Sequence, residues 1–142
     1  MLRPGAWGGG RHAPSVARGL AEDLASRGIA SLRFQFPFMK GGSRRPDPPA
    51  VAHAAVRAAV TTAASLDPAL PLIAGGRSFG GRMTSQAQAL APLPDVRALL
   101  FLGFPLHPAG HPSTDRGRHL AEASLPMLFV QAPATRSPTS RS

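Results

Sequence analysis

Leu72-Ile73-Ala74-Gly75-Gly76-Arg77-Ser78-Phe79-Gly80-Gly81-Arg82-Met83 is the stretch around which the rest of this 142-residue chain is arranged. Leu72 to Ala74 is an apolar run of strand length, and Met83, Ala87 and Leu90 recur at helical spacing until Pro92 and Pro94 stop them. A strand, a very tight turn and a helix are therefore predicted in that order. Gly76-Arg77-Ser78-Phe79-Gly80 fits Gly-x-Ser-x-Gly, the pattern of a nucleophile elbow. The chemistry accounts for the spacing. A serine hydroxyl that must project above a sheet sits in strained backbone on a sharp turn. Side chains two positions before and after it would collide, so Gly76 and Gly80 are the expected elbow glycines. The Phe79 N–H then faces the space where an oxyanion forms, aided by the positive end of the following helix. The bare pattern is weak, because a chain with 15 glycines produces it by accident. Its strand-to-helix context favours the elbow over a phosphate-binding or merely chain-reversing turn.

Outward from this stretch, helices and strands alternate. Gly5 to His12 is a glycine-rich loop, and Pro14 suits a first helical position. Val16, Ala17, Leu20, Ala21 and Leu24 trace one helix face, with Arg18 and Glu22 at i, i+4 and Gly28 as the stop. Ile29 to Phe34 reads as a strand. Gln35 to Pro49 reads as loop, its glycines and prolines excluding regular structure, and Asp47 is placed to cap a second helix. Ala52, Ala55, Val56, Ala59, Val60 and Ala63 mark that helix's small-residue face, and Asp67-Pro68 ends it. Val96 to Gly103 is a nearly continuous apolar strand. Phe104 to Arg116 is loop, Arg118 to Ala123 a short helix, and Met127 to Val130 a last strand. Strands buried on both faces and alternating with helices predict an α/β fold, a parallel sheet with helices on both faces. Residues 1–131 form the expected domain and 132–142 a disordered polar tail.

Composition narrows the function classes. With no cysteine there is neither a disulfide framework nor a cysteine metal site. No apolar run reaches bilayer length and no basic-then-apolar leader opens the chain, so a cytoplasmic protein without a membrane partner is expected. The formal net charge of +9 invites a nucleic-acid reading. However, the cations are nearly all arginines scattered from Arg3 to Arg141, with no interleaved aromatics, which fits a solvated surface better. No nucleic-acid partner is expected, nor any cofactor.

The blocks Arg27-Gly28-Ile29-Ala30, Leu32-Arg33-Phe34-Gln35-Phe36-Pro37, Ala74 to Met83 and Phe101-Leu102-Gly103-Phe104-Pro105-Leu106-His107-Pro108 carry a resemblance. The chain resembles a bacterial α/β-hydrolase-like family related to dienelactone hydrolases, which also includes the hydrolase-like domain of a eukaryotic histone-acetyltransferase complex subunit. The resemblance covers most of residues 11–131 and implies a partial α/β-hydrolase fold. It implies a serine hydrolase acting on a small-molecule ester-like bond, with Ser78 as nucleophile. The loop at Gly5-Ala6 matches the oxyanion loop, so the backbone of Ala6 joins that of Phe79 as the implied oxyanion hole.

Two departures weigh against full activity. Pro4 stands where family members carry a His-Gly opening, and the strand before it is missing. After Val130 the polar tail replaces the segments that hold the catalytic acid and histidine, so the chain reads as truncated at both ends and a poor enzyme. A serine needs a base. The histidines are His12, His53, His107, His111 and His119. His119 with Asp115 falls early for the order Ser, acid, His, and both read better as surface residues. His107 and His111 have the spacing of a helical metal pair, but Pro108, Gly110 and Pro112 forbid that helix, so no metal is expected. The alternative function is a non-catalytic hydrolase-like module that binds protein.

Overall fold

Strand β3 (Leu72–Arg77) runs through the middle of a five-stranded sheet in the computed structural model, which describes residues 2–4, 13–104 and 115–131. Around it lie β1 (Leu2–Pro4), α1 (Ala13–Ser26), β2 (Leu32–Phe34), α2 (Pro37–Lys40), α3 (Pro49–Leu66), α4 (Phe79–Leu90), β4 (Val96–Leu102), a 3-10 helix (Asp115–Glu122) and β5 (Met127–Val130). The strand order is β2-β1-β3-β4-β5 and every pairing is parallel. The expected parallel α/β sheet is present.

Right-handed crossovers fix which helix covers which face. The chain moves outward from β1 to β2, then back across β1 to β3 and on to β4 and β5. Helix α1 thus falls on one face, while α3, α4 and the 3-10 helix share the other. The shared face is the core. It buries Ala74, Leu99 and Phe101 from the sheet, Ala52, Val56 and Val60 from α3, and Met83 and Ala87 from α4. The small side chains of α3 let it lie close to the sheet and to α4, where Arg57 Nη2 donates to the Ala87 and Ala91 carbonyls at 2.6 and 2.8 Å. On the α1 face Ile73, Leu128 and Val130 stay exposed. That corrects the expectation of strands buried on both faces: one helix cannot cover five strands. A cavity of about 520 Å³ lies there between Leu24 and Ile29 and the sheet residues Ile73, Leu100 and Leu128.

Further local expectations are also corrected. The missing first strand is present as β1, a three-residue element paired to both β2 and β3. It separates the second and third strands, which are therefore not neighbours. The strand expected over Ile29–Phe34 begins only at Leu32, because α1 ends in a left-handed turn. Gly28 takes φ 75° there, and the Ile29 N–H donates back to Leu24 O at 2.9 Å. The Gln35–Pro49 stretch holds the single turn α2, with Pro37 at its start, where proline is tolerated. Asp47 does not cap α3, whose N-cap is Pro48; its Oδ2 accepts instead from the Phe38 N–H at 3.1 Å, tying the loop to α2. The polar tail expected at 132–142 and the loop at 5–12 lie outside the described residues, as does most of the loop after Phe104.

A buried glutamine locks the 3-10 helix onto α4. Gln88 Nε2 donates to Ala123 O at 3.2 Å, and its Oε1 accepts from the Leu93 N–H at 2.7 Å. Replacing Gln88 with leucine keeps the volume but leaves both backbone groups buried and unpaired. A loss of about 2–4 kcal/mol is expected, read as a fall in the urea midpoint at unchanged slope.

Candidate active site

The carboxyl end of β3 meets the amino end of α4 at a single residue, Ser78. Its φ of 51° and ψ of −118° lie in backbone space that side chains rarely occupy. Neighbouring contacts hold it there. The Ser78 N–H donates to Gly103 O at 3.1 Å, and the Gly103 N–H donates to Val130 O at 2.8 Å, so the ends of β3, β4 and β5 are stitched in sequence. On the helix side the Arg82 N–H donates to Ser78 O at 3.1 Å, opening α4. Phe79 is the first helical residue, so its N–H has no carbonyl one turn back to serve.

The turn is compact because the backbones nearly touch. Gly76 and Gly80 are both buried. Contacts one residue further out also demand glycine, which sequence reading missed. A Cβ on Gly75 would stand 1.8 Å from Leu100 O, and one on Gly81 would stand 2.9 Å from Gly76 O and 3.0 Å from the Phe101 ring. The signal was present in the doublets Gly75-Gly76 and Gly80-Gly81.

The Phe79 side chain is fixed by an aromatic cluster that the sequence reading also passed over. Its ring meets Phe36 and Phe38 edge-on, with centroids 5.2 and 5.5 Å away, and Phe34 meets Phe36 at 5.2 Å. The alternation Phe34-x-Phe36-x-Phe38 is visible in the sequence, though not what it packs against. Arg82 lies over the Phe79 ring at 5.7 Å. The position is the switch point of the sheet: the chain leaves β1 towards one edge and β3 towards the other. In open parallel sheets, the crevice beyond the strand ends at that point is where ligands bind. Ala6 and its loop lie outside the described residues, so among the sequence-derived site residues the structure brings together Ser78, Phe79, Gly76 and Gly80.

Neither described histidine bonds to Ser78, whose hydroxyl has no hydrogen-bond partner among the described residues. His53 Nε2 meets Gln86 Oε1 at 2.9 Å. His119 Nε2 meets Ser85 Oγ at 2.5 Å, and that hydroxyl also donates to Arg82 O at 2.9 Å. One hydroxyl proton cannot serve both partners. With it directed to Arg82 O, the His119 Nε2–H is the donor to Ser85. This corrects the expectation that His119 is a surface residue: it docks the 3-10 helix on a fully buried serine of α4. His12, His107, His111 and the Asp115 side chain lie outside the described parts. Among the described residues no cluster of metal-ligating side chains occurs.

Burial holds the His119 imidazole below its ordinary range; Glu122 opposes that shift, while Arg82 and His53 add to it. The folded chain therefore binds the proton less readily than the unfolded one. The stability this contributes is whole above roughly pH 6.5 and is lost as pH falls from there through the folded value. Thermal melts from pH 7.5 to 5 are expected to show a steeper acid-side loss in the native chain than in His119→Gln, which keeps a donor and cannot titrate. Parallel profiles would exclude this origin.

A model of the alpha/beta hydrolase domain matches residues 5–136. No curated protein and no solved structure matches significantly. Among the described residues no helix is long and apolar enough to cross a membrane. The matched span takes in nearly the whole chain, including the strand, sharp turn and helix around Ser78, and the chain belongs to the alpha/beta hydrolase domain family.

Proposed function

We propose that this chain is a serine hydrolase fold for small-molecule ester-like substrates, with Ser78 as the nucleophile and no nucleic-acid or membrane partner. The observation that carries it is the backbone of Ser78, at φ 51° on the turn between β3 and α4. Ordinary strand-to-helix turns have no need of strain at a non-glycine residue, and a nucleophile elbow does. In this reading Ser78 Oγ adds to the ester carbonyl carbon. The developing oxyanion accepts from the Phe79 N–H and, on the Gly5-Ala6 loop, from that of Ala6. The tetrahedral species expels the alcohol, leaving an acyl-serine that water hydrolyses. Kinship to dienelactone hydrolases belongs to the same proposal.

Activation is the weak step. An unassisted serine hydroxyl is a poor nucleophile near neutral pH, and His53 and His119 are both bonded elsewhere. Turnover is therefore expected to be low, carried by oxyanion stabilisation and binding. The lack of a described base also favours a second reading, a non-catalytic module that binds protein. Labelling with a fluorophosphonate and mapping the modified peptide separates the two. Adduct at Ser78 that vanishes in Ser78→Ala supports the nucleophile. A folded chain that stays unlabelled there supports the module.

A further inference from the structure

Ser78 is held by two backbone bonds, one on each side of the turn, and both lead to His119. On the strand side the Ser78 N–H donates to Gly103 O at 3.1 Å. Phe104, the next residue, is buried, its ring 5.1 Å from that of Phe101. The His119 imidazole lies 6.3 Å from the Phe104 ring, centroid to centroid. On the helix side the Arg82 N–H donates to Ser78 O at 3.1 Å. The carbonyl of that same residue accepts from Ser85 Oγ at 2.9 Å, and Ser85 Oγ accepts in turn from the His119 Nε2–H at 2.5 Å. One ring on the 3-10 helix therefore reaches both flanks of the Ser78 turn without bonding to Ser78 itself.

The helix-side link bears on the oxyanion donor. The first turn of α4 accepts two bonds from side chains of the next turn, Thr84 Oγ1 to Gly80 O at 2.7 Å and Ser85 Oγ to Arg82 O at 2.9 Å. Such back-bonds bend a helix, and here they set the direction in which the Phe79 N–H leaves the turn. Thr84 and Ser85 are fully buried, so both bonds are made away from solvent. A hydroxyl proton turns about its C–O bond until its partners fix it. The His119 N–H occupies a lone pair of Ser85 Oγ and leaves the proton aimed at Arg82 O. Donation into the hydroxyl also polarises it, which strengthens the bond it makes.

We propose that His119 is a positioning residue for the Ser78 site, fixing the first turn of α4 through its bond to Ser85 and the Gly103 flank through Phe104. Its effect on reactivity rests on the Ser78 reading; the positioning itself is read from backbone amides. Two quantities are measured on the full chain. One is hydrogen exchange of the Ser78 and Arg82 amides relative to those of Val56 to Val60 in α3, and the other is the rate of fluorophosphonate adduct at Ser78. His119→Leu keeps apolar bulk beside Phe104 and removes the donor. It is expected to speed the relative exchange about tenfold by local opening. Adduct formation should slow about tenfold, because small displacements of a reacting group cost that much or more. Ser85→Ala removes the link from its other end, should reproduce both changes, and carries the test if His119→Leu does not fold. The double variant should add nothing further.

His119→Gln keeps an N–H donor and should recover most of both quantities. Gln88→Leu loosens the same 3-10 helix at its other end, where Gln88 Nε2 bonds Ala123 O, and touches neither flank of the turn. It should leave both quantities at their native values once corrected for the folded fraction. Equal losses in His119→Leu and Gln88→Leu would reduce His119 to an anchor and overturn the proposal. Equal losses in His119→Leu and His119→Gln would do so too, since the donated bond would not be what acts. Amide changes as expected with no adduct on the native chain would keep the positioning and reject the nucleophile. Adduct at Ser78 that neither His119→Leu nor Ser85→Ala slows, with unchanged amides, would do the reverse.

Discussion

Gly75→Ala is expected to abolish the native sheet. The added Cβ would stand 1.8 Å from Leu100 O and 2.7 Å from its carbonyl carbon. Gly75 and Leu100 are register partners on the central strands β3 and β4, so the atom in the way is backbone that no rotamer change can move. Making room would separate the two strands that carry the core residues Ala74, Leu99 and Phe101. The cost should exceed about 3 kcal/mol, a large share of the roughly 5–15 kcal/mol that holds a domain together. Circular dichroism should show loss of the cooperative melt. Gly19→Ala, on α1 with nothing within 4 Å of the new carbon, is the control and should gain about 0.5–1 kcal/mol from helix propensity. A cooperative Gly75→Ala melt within a few degrees of the native one would show that β3 and β4 are not packed as described.

The second large effect falls at Ser78, where stability and reactivity should move in opposite directions. At φ 51° and ψ −118° any side chain is strained, at a cost on the order of 1–3 kcal/mol. Ser78→Gly should recover part of that strain, raising the urea midpoint by the equivalent of about 1 kcal/mol despite glycine's greater freedom in the unfolded chain. Ser78→Ala should be near neutral, and Ser78→Val should lose more than about 1 kcal/mol because its branched carbon crowds the same backbone. All three should lose the fluorophosphonate adduct. A destabilised Ser78→Gly would remove the case for stored strain.

The sequence by itself determined the alternation of strands and helices, the parallel α/β class and the place of Ser78 between a strand and a helix. These follow from local periodicity and from glycine spacing, which act over a few residues. It also exposed β5 to within a residue, since Pro126 and the apolar run Met127–Val130 mark it on their own. Long-range geometry decided the rest. Strand β1 is three residues long and exists because two parallel neighbours complete its hydrogen bonds, which no local pattern announces. Asp47 looked like a helix cap by its position and became a tether for α2, because the folded turn brought the Phe38 N–H to it. His119 read as a surface residue and became the anchor of the 3-10 helix, because Ser85, far away in the chain, is buried beneath it. The handedness of the crossovers placed α1 alone on one face and left Ile73, Leu128 and Val130 uncovered, although their strands look alike in sequence. Apolar periodicity states that a face will be buried; only the path of the whole chain states what is available to bury it.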